Sequence, residues 1–177
     1  MCVIPVSNMK PFRGYEALRR NRINVAGADY FVTICTRGHV SGLQAGELPK
    51  AIARELDSML ADKVAELRAW VLMPDHLHLF VVATGRLTLG QIVGRLKAKT
   101  RSALRERGLC WQGNYFEHRL RPDDPAEGVL RYIYLNPHRA GLVMPGETYA
   151  HFWMCPADTE WFSPTLNDNR PFPEWLV

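Results

Sequence analysis

No stretch of this chain stays apolar for the roughly twenty residues that a membrane-spanning helix needs. The N-terminal run MCVIPVSNMKPFRGYEALRR lacks an apolar block followed by a small-residue cleavage site, so a cytoplasmic protein with no membrane partner is expected, nucleoid-associated if it binds DNA. Cysteine is scarce. Cys2, Cys35, Cys110 and Cys155 are scattered without CxxC spacing, which supports neither a zinc knuckle nor a disulfide framework and leaves reduced structural thiols as the expectation. There is no GxxxxGK[ST] phosphate loop and no internal repeat.

What is present suffices for one well-buried domain with appended arms: 177 residues, 47% hydrophobic and 23% charged. The net charge of +4 conceals an asymmetry. Residues 86–121 hold nine Lys or Arg against Glu106 and Glu117, residues 1–22 hold five against Glu16, and the remainder is therefore net acidic. One basic run is usually a solvated face; two in a small domain suggest a polyanionic partner.

Hydrophobic patterning predicts an order of elements. A basic arm over residues 1–28 precedes a strand in DYFVTICTR. LPKAIARELDSMLADK then reads as a helix with Ile52, Leu56, Met59 and Leu60 apolar. ELRAWVL and HLHLFVVA, joined by Met73-Pro74-Asp75, read as a β-hairpin. TLGQIVGRLKAKTRSALRERG predicts one amphipathic helix capped by Thr88 and stopped by Gly108. CWQGNYFEHRLR suggests a further strand, and DDPAEGVLRYIYLN opens with helix-start chemistry at Asp124, Pro125 and Glu127. The order βαββαβ followed by α predicts an α+β fold, a ferredoxin-like antiparallel sheet with two helices on one face and an additional C-terminal helix on the other. The domain is expected to span 29–145, and the Pro- and Trp-rich stretch 146–177 to be an irregular tail.

Chemistry concentrates at two places. In MPDHLHLF, strand alternation points His76 and His78 to one face, roughly 6 to 7 Å apart, with Leu77 and Leu79 on the other. Two imidazoles on one face are as compatible with hydrogen-bonded residues of a half-buried sheet as with two metal ligands. In RYIYLNPHRAGLV, Tyr132 and Asn136 share a helical face, whereas Tyr134 is rotated by about 200° from Tyr132. Pro137 disfavours helical geometry at Asn136, so a distorted last turn is expected. A phenol can attack a phosphodiester when a divalent cation draws charge from the non-bridging oxygens. Two histidines with an amide or carboxylate oxygen and open positions suit Mg²⁺ or Mn²⁺ better than a closed zinc site.

The motifs YFVTICTR, AWVLMPDHLHLF, WQGNYFEHRLR and YIYLNPHRAGLV, in that order, resemble the REP-associated tyrosine transposases of the single-tyrosine HUH, IS200-like superfamily. The resemblance spans about residues 11 to 155. It implies that His76, Leu77 and His78 are the HUH motif, Tyr132 the nucleophile and Asn136 the third metal-side group. Where the superfamily often carries a glutamine four residues after the tyrosine, Asn136 is one methylene shorter, leaving direct or water-mediated coordination open. The implied activity is that of a DNA-strand transferase. It would break and rejoin phosphodiesters of single-stranded or hairpin DNA at repetitive palindromes, through a 5′-phosphotyrosine link that needs no nucleotide cofactor. Related enzymes act as monomers or as homodimers.

Further residues are candidates for nucleic-acid contact: Arg19, Arg20 and Arg22 in the arm, and Arg95, Lys97, Lys99, Arg101 and Arg105 along the middle helix. His118 and Arg121 could support the metal site or a phosphate; a packed role for His118 is the alternative, and His138 is open in the same way. Trp111, Tyr115 and Phe116 are either stacking platforms or core, with core preferred for Trp111. Two other classes of function compete: a non-catalytic nucleic-acid-binding module, and a metal-dependent nuclease that uses water.

Overall fold

The computed structural model describes residues 25–144 and 147–162. The arm arginines Arg19, Arg20 and Arg22, and the tail beyond residue 162, lie outside the described residues. Five strands form one antiparallel sheet: β1 (Asp29–Cys35), β2 (Ala65–Leu72), β3 (His76–Ala83), β4 (Phe116–Arg119) and β5 (Phe152–Met154). Their spatial order is β4-β1-β3-β2-β5. The helices are α1 (Leu48–Ala61), α2 (Leu89–Lys99), α3 (Arg101–Glu106), α4 (Ala126–Arg139) and α5 (Pro156–Thr159). The first four strands with α1 and α2 reproduce the expected split βαβ arrangement, a ferredoxin-like α+β fold.

Alternation along the strands builds two apolar layers. Val32, Ile34, Leu77, Leu79 and Val81 face α1 and α2, meeting Ile52, Leu56, Met59, Ile92, Val93 and Leu96. Phe31, Phe80, Ala69 and Val71 face the other way, onto Val129, Leu130 and Ile133 of α4. Each fully buried Leu or Ile contributes about 1.5–3 kcal/mol, so both faces of the sheet are firmly held. The C-terminal helix therefore covers the histidine face, as expected.

Four local expectations are corrected. The middle helix bends at Thr100, which separates α2 from α3. There the Thr100 hydroxyl donates to the Leu96 carbonyl (2.7 Å), competing with the backbone for that acceptor, and itself accepts from the Trp111 indole (2.8 Å). The Thr88 capping box and the left-handed Gly108, at φ 68°, do start and end this pair of helices. Second, α4 runs helically through Asn136 and Pro137 to Arg139, and left-handed Gly141 follows it.

Third, the expected irregular tail supplies β5, which pairs Ala69, Trp70 and Val71 of β2 with Met154, Trp153 and Phe152. Asp158 then secures this edge, accepting from Arg68 Nε (3.0 Å) and Nη2 (2.6 Å). Fourth, in the predicted strand CWQGNYFEHRLR only Phe116–Arg119 is a strand; Trp111 forms a single bridge to Thr36 and is buried in the core.

Candidate functional site

The site starts from strand register. β1 and β3 pair Thr33 with His78 and Cys35 with His76. The Thr33 hydroxyl thus lies 2.8 Å from His78 Nδ1. The hairpin turn is closed by Met73 N donating to His76 O (2.8 Å), which places Asp75 immediately before β3. One carboxylate oxygen of Asp75 lies 2.7 Å from His76 Nδ1 and the other 3.0 Å from Nδ1 of His39. His39 ends the short turn Arg37–His39 with φ 55°, a conformation few residues with a side chain adopt.

Both Nδ1 atoms are therefore engaged, and the two Nε2 atoms face each other at 3.1 Å. His78 is 4% exposed, its ring stacked on Phe31 with centroids 5.2 Å apart. Burial, and secondarily the neighbouring His76, push its pKa well below the ordinary 6.5, so it is held neutral. Burial also acts to raise the Asp75 pKa, but hydrogen bonds from His76 and His39 outweigh it and leave the group below the ordinary 3.8. A carboxylate that accepts the Nδ1 hydrogen of His76 leaves the Nε2 lone pair pointing outward.

From the opposite side α4 brings Tyr132, whose ring centroid is 5.4 Å from that of His78 and 5.7 Å from that of Phe31. The Arg139 guanidinium lies over the same ring, 5.6 Å from its centroid. Asn136, half-buried, is one helical turn on from Tyr132 on the same face. Tyr134 points elsewhere, toward Phe152 and Phe162, at 5.6 and 5.9 Å between centroids.

The donor set fits a hard divalent cation. Two imidazole nitrogens bound side by side, each about 2.1 Å from one ion, sit about 3.0 Å apart, and the observed spacing is 3.1 Å. In the tautomer with hydrogen on both Nδ1 atoms, two lone pairs would face each other, an arrangement that a cation relieves. Among the described residues no cluster of three or more His, Cys, Asp or Glu side chains could hold a metal, so further donors must be an amide, water or the substrate. That is the composition of an open site.

A family model described as "Transposase IS200 like" matches residues 25–134, well over half of the chain. The chain belongs to the IS200-like transposases. It is 24% identical over 123 residues to the REP-associated tyrosine transposase of Escherichia coli (strain K12), covering 69% of this chain and 73% of that protein. A solved structure, described as the REP-associated tyrosine transposase bound to a REP hairpin, aligns with a TM-score of 0.59 at 24% identity. That alignment covers 70% of this chain and 74% of the other, a likeness of fold.

In this transposase the remaining predicted site residues separate into two groups. Arg95 is committed to α1, contacting Glu55 (2.7 Å), Ser58 (2.9 Å) and Asp62 (2.6 Å). Lys97 Nζ donates to the carbonyls of Gln112 (2.8 Å) and Asn114 (2.9 Å). Lys99, Arg101 and Arg105 are exposed. His118, on β4 as the cross-strand partner of Phe31, lies 3.3 Å from the Asp124 carboxylate, which also accepts from the Arg121 backbone and so ties β4 to the connection into α4. The His138 ring is tilted against that of Tyr134, 5.4 Å between centroids.

Sequence reasoning missed Asp75, Thr33, Phe31 and Arg139 at this site. Asp75 carries a signal, since it directly precedes the His-x-His, but a Pro-Asp pair between two strands speaks first of a turn. Thr33 carries none, because its place depends on which strand pairs with β3.

Proposed function

We propose that this transposase cuts and rejoins single-stranded DNA beside hairpins of repetitive palindromes, with Tyr132 as the nucleophile. The observation that carries the reading is the Tyr132 ring against His78, whose Nε2 faces that of His76 at 3.1 Å. Tyr132 Oη would attack the scissile phosphorus, the P–O3′ bond would break, and the 3′ oxygen would leave with a proton as a free hydroxyl. The tyrosine would then carry the 5′ phosphate, and a second 3′ hydroxyl attacking the same phosphorus would restore the backbone and release Tyr132.

His76 and His78, with Asn136, would hold Mg²⁺ or Mn²⁺, which when bound draws charge from the non-bridging phosphate oxygens. Asp75 and Thr33 keep the two imidazoles aimed through their Nδ1 atoms. Phe31 and Arg139 hold the Tyr132 ring at its edge and its face. The family membership and the fold shared with a relative solved on a REP hairpin support DNA hairpins as the substrate class.

The test compares Tyr132→Phe and Tyr134→Phe on labelled hairpin DNA with Mg²⁺ or Mn²⁺. Tyr132→Phe should fold and bind DNA yet give neither cut nor covalent adduct on a denaturing gel; Tyr134→Phe should give both. An adduct that persists in Tyr132→Phe would refute the assignment. Cleavage without any adduct in the native protein would favour a water-using nuclease, and binding without cleavage a non-catalytic DNA-binding module.

A further inference from the structure

Beyond the histidine pair, the described surface has a cleft of about 290 Å³ where the segment after α3 returns along the end of β1. Its lining includes Arg37, Arg101, Arg105, Trp111 and Gln112, with no carboxylate among the lining residues. Arg37, Arg101 and Arg105 are exposed. None of the three guanidiniums meets a hydrogen-bonding or ion-pairing side chain among the described residues, in contrast to Arg95 and Lys97 on the preceding helix. Three such cations around one concavity repel each other, and a polyanion relieves that repulsion.

Backbone pairing ties this cleft to the histidine site. Gln112 N donates to Cys35 O (2.8 Å), and Arg37 N to Cys110 O (2.8 Å). Cys35 is the cross-strand partner of His76. Arg37 is two residues beyond Cys35, so the cleft opens at the end of β1 on the α2–α3 side of the sheet, on the order of 10 Å from His76 around that end. That is the reach of the nucleotides next to a bond held at the histidines. At about 290 Å³ the cleft is too small to take up a duplex, whereas a short piece of one sugar-phosphate chain fits, and Gln112 adds an amide able to meet a base or phosphate.

We infer that the cleft lined by Arg37, Arg101 and Arg105 binds backbone phosphates of the single-stranded DNA that flanks the scissile bond, leaving the hairpin stem to other surfaces. This rests on the function proposed above and adds to it a path for the strand.

The experiment measures binding of the full-length chain to two fluorescent hairpins in EDTA, where cutting cannot intervene. One hairpin is blunt and the other carries a short single-stranded extension. Wild type and the Arg37→Ala/Arg101→Ala/Arg105→Ala variant are titrated at several salt concentrations, with circular dichroism to confirm folding. The same three positions changed to Lys provide a charge-retaining control.

Wild type should prefer the extended hairpin. The alanine variant should lose that preference, keep its affinity for the blunt hairpin, and show a log–log salt slope shallower by about 2 on the extended one, three phosphates at about 0.7 each. The lysine variant should regain most of the slope. An unchanged preference and slope in the alanine variant, or an equal loss on both hairpins, would overturn the cleft while leaving the phosphotyrosine chemistry standing. Wild type that binds neither hairpin would overturn both readings.

Discussion

Replacing Asp75 by asparagine changes one atom and tests how the histidine pair is aimed. The carboxylate accepts from His76 Nδ1 at 2.7 Å through one oxygen and from His39 Nδ1 at 3.0 Å through the other. An amide has a single acceptor oxygen. If that oxygen turns to His39, the Nδ2 hydrogens face His76 Nδ1, which must then surrender its own hydrogen to Nε2 and lose the outward lone pair. If it turns to His76, the ring keeps its tautomer but exchanges a charge-assisted bond, worth about 1.5–3 kcal/mol, for a neutral one of about 1 kcal/mol. That difference of about 0.5–2 kcal/mol corresponds to a loss of roughly 2- to 30-fold in metal affinity, overlapping the range of about 10- to 100-fold usual for removal of such an outer partner.

Titration of Mn²⁺ into the DNA-free protein, followed by calorimetry or by the electron paramagnetic resonance signal of the free ion, reads the effect without reference to cleavage. His39→Ala should weaken the ion far less, because the His39 side chain is 64% exposed and leaves the Asp75–His76 bond in place. Asp75→Asn with Mn²⁺ affinity within about twofold of wild type would refute the argument that the carboxylate sets the His76 tautomer.

His78 predicts a pH dependence of stability. Because its folded pKa lies below the ordinary 6.5, the unfolded chain takes up the proton first. Its contribution is thus present above that value and is lost as pH falls below it, at up to about 1.4 kcal/mol per pH unit. Denaturant unfolding in EDTA between about pH 7 and pH 5 should show a smaller decline for His78→Gln than for wild type, and equal declines would contradict the assignment. Ile133→Ala should destabilise by about 2–5 kcal/mol through a cavity between α4 and the sheet, as Ile133 is fully buried there; a loss under about 1 kcal/mol would mean that α4 packs loosely. Asp158→Ala should cost about 1–3 kcal/mol, since it leaves the half-buried Arg68 without its two-pronged partner. Amide exchange should quicken first in β5, and unchanged exchange there would show that the pair does not hold the edge strand.

Much of this protein is legible in its sequence wherever a period or a cap carries the information. Alternation in HLHLF separates His76 and His78 from Leu77 and Leu79, and the observed layers keep that separation. The four-residue interval in YIYLN places Tyr132 and Asn136 on one face and sends Tyr134 elsewhere, toward Phe152 and Phe162. Charge counting finds the basic middle segment but cannot distinguish Arg95, paired with Glu55 and Asp62, from Arg101 and Arg105, which line an open cleft. An arginine's availability depends on which acids its neighbours bring from distant parts of the chain.

The order of the first four strands and their helices, the placing of both histidines on one strand face and the different sides to which Tyr132 and Tyr134 turn follow from the amino-acid string alone. All are set by repeat geometry within a few bonds of each residue. Tertiary contacts were needed to establish that Thr33 and Asp75 orient the two imidazoles, that Thr100 bends the middle helix toward Trp111, and that residues 152–154 complete the sheet beside β2. Each of those joins partners whose meeting depends on strand register or on burial against another layer. For Thr33 and His78, 45 positions apart, it is the β1–β3 hydrogen-bond ladder that brings a hydroxyl to within 2.8 Å of an imidazole.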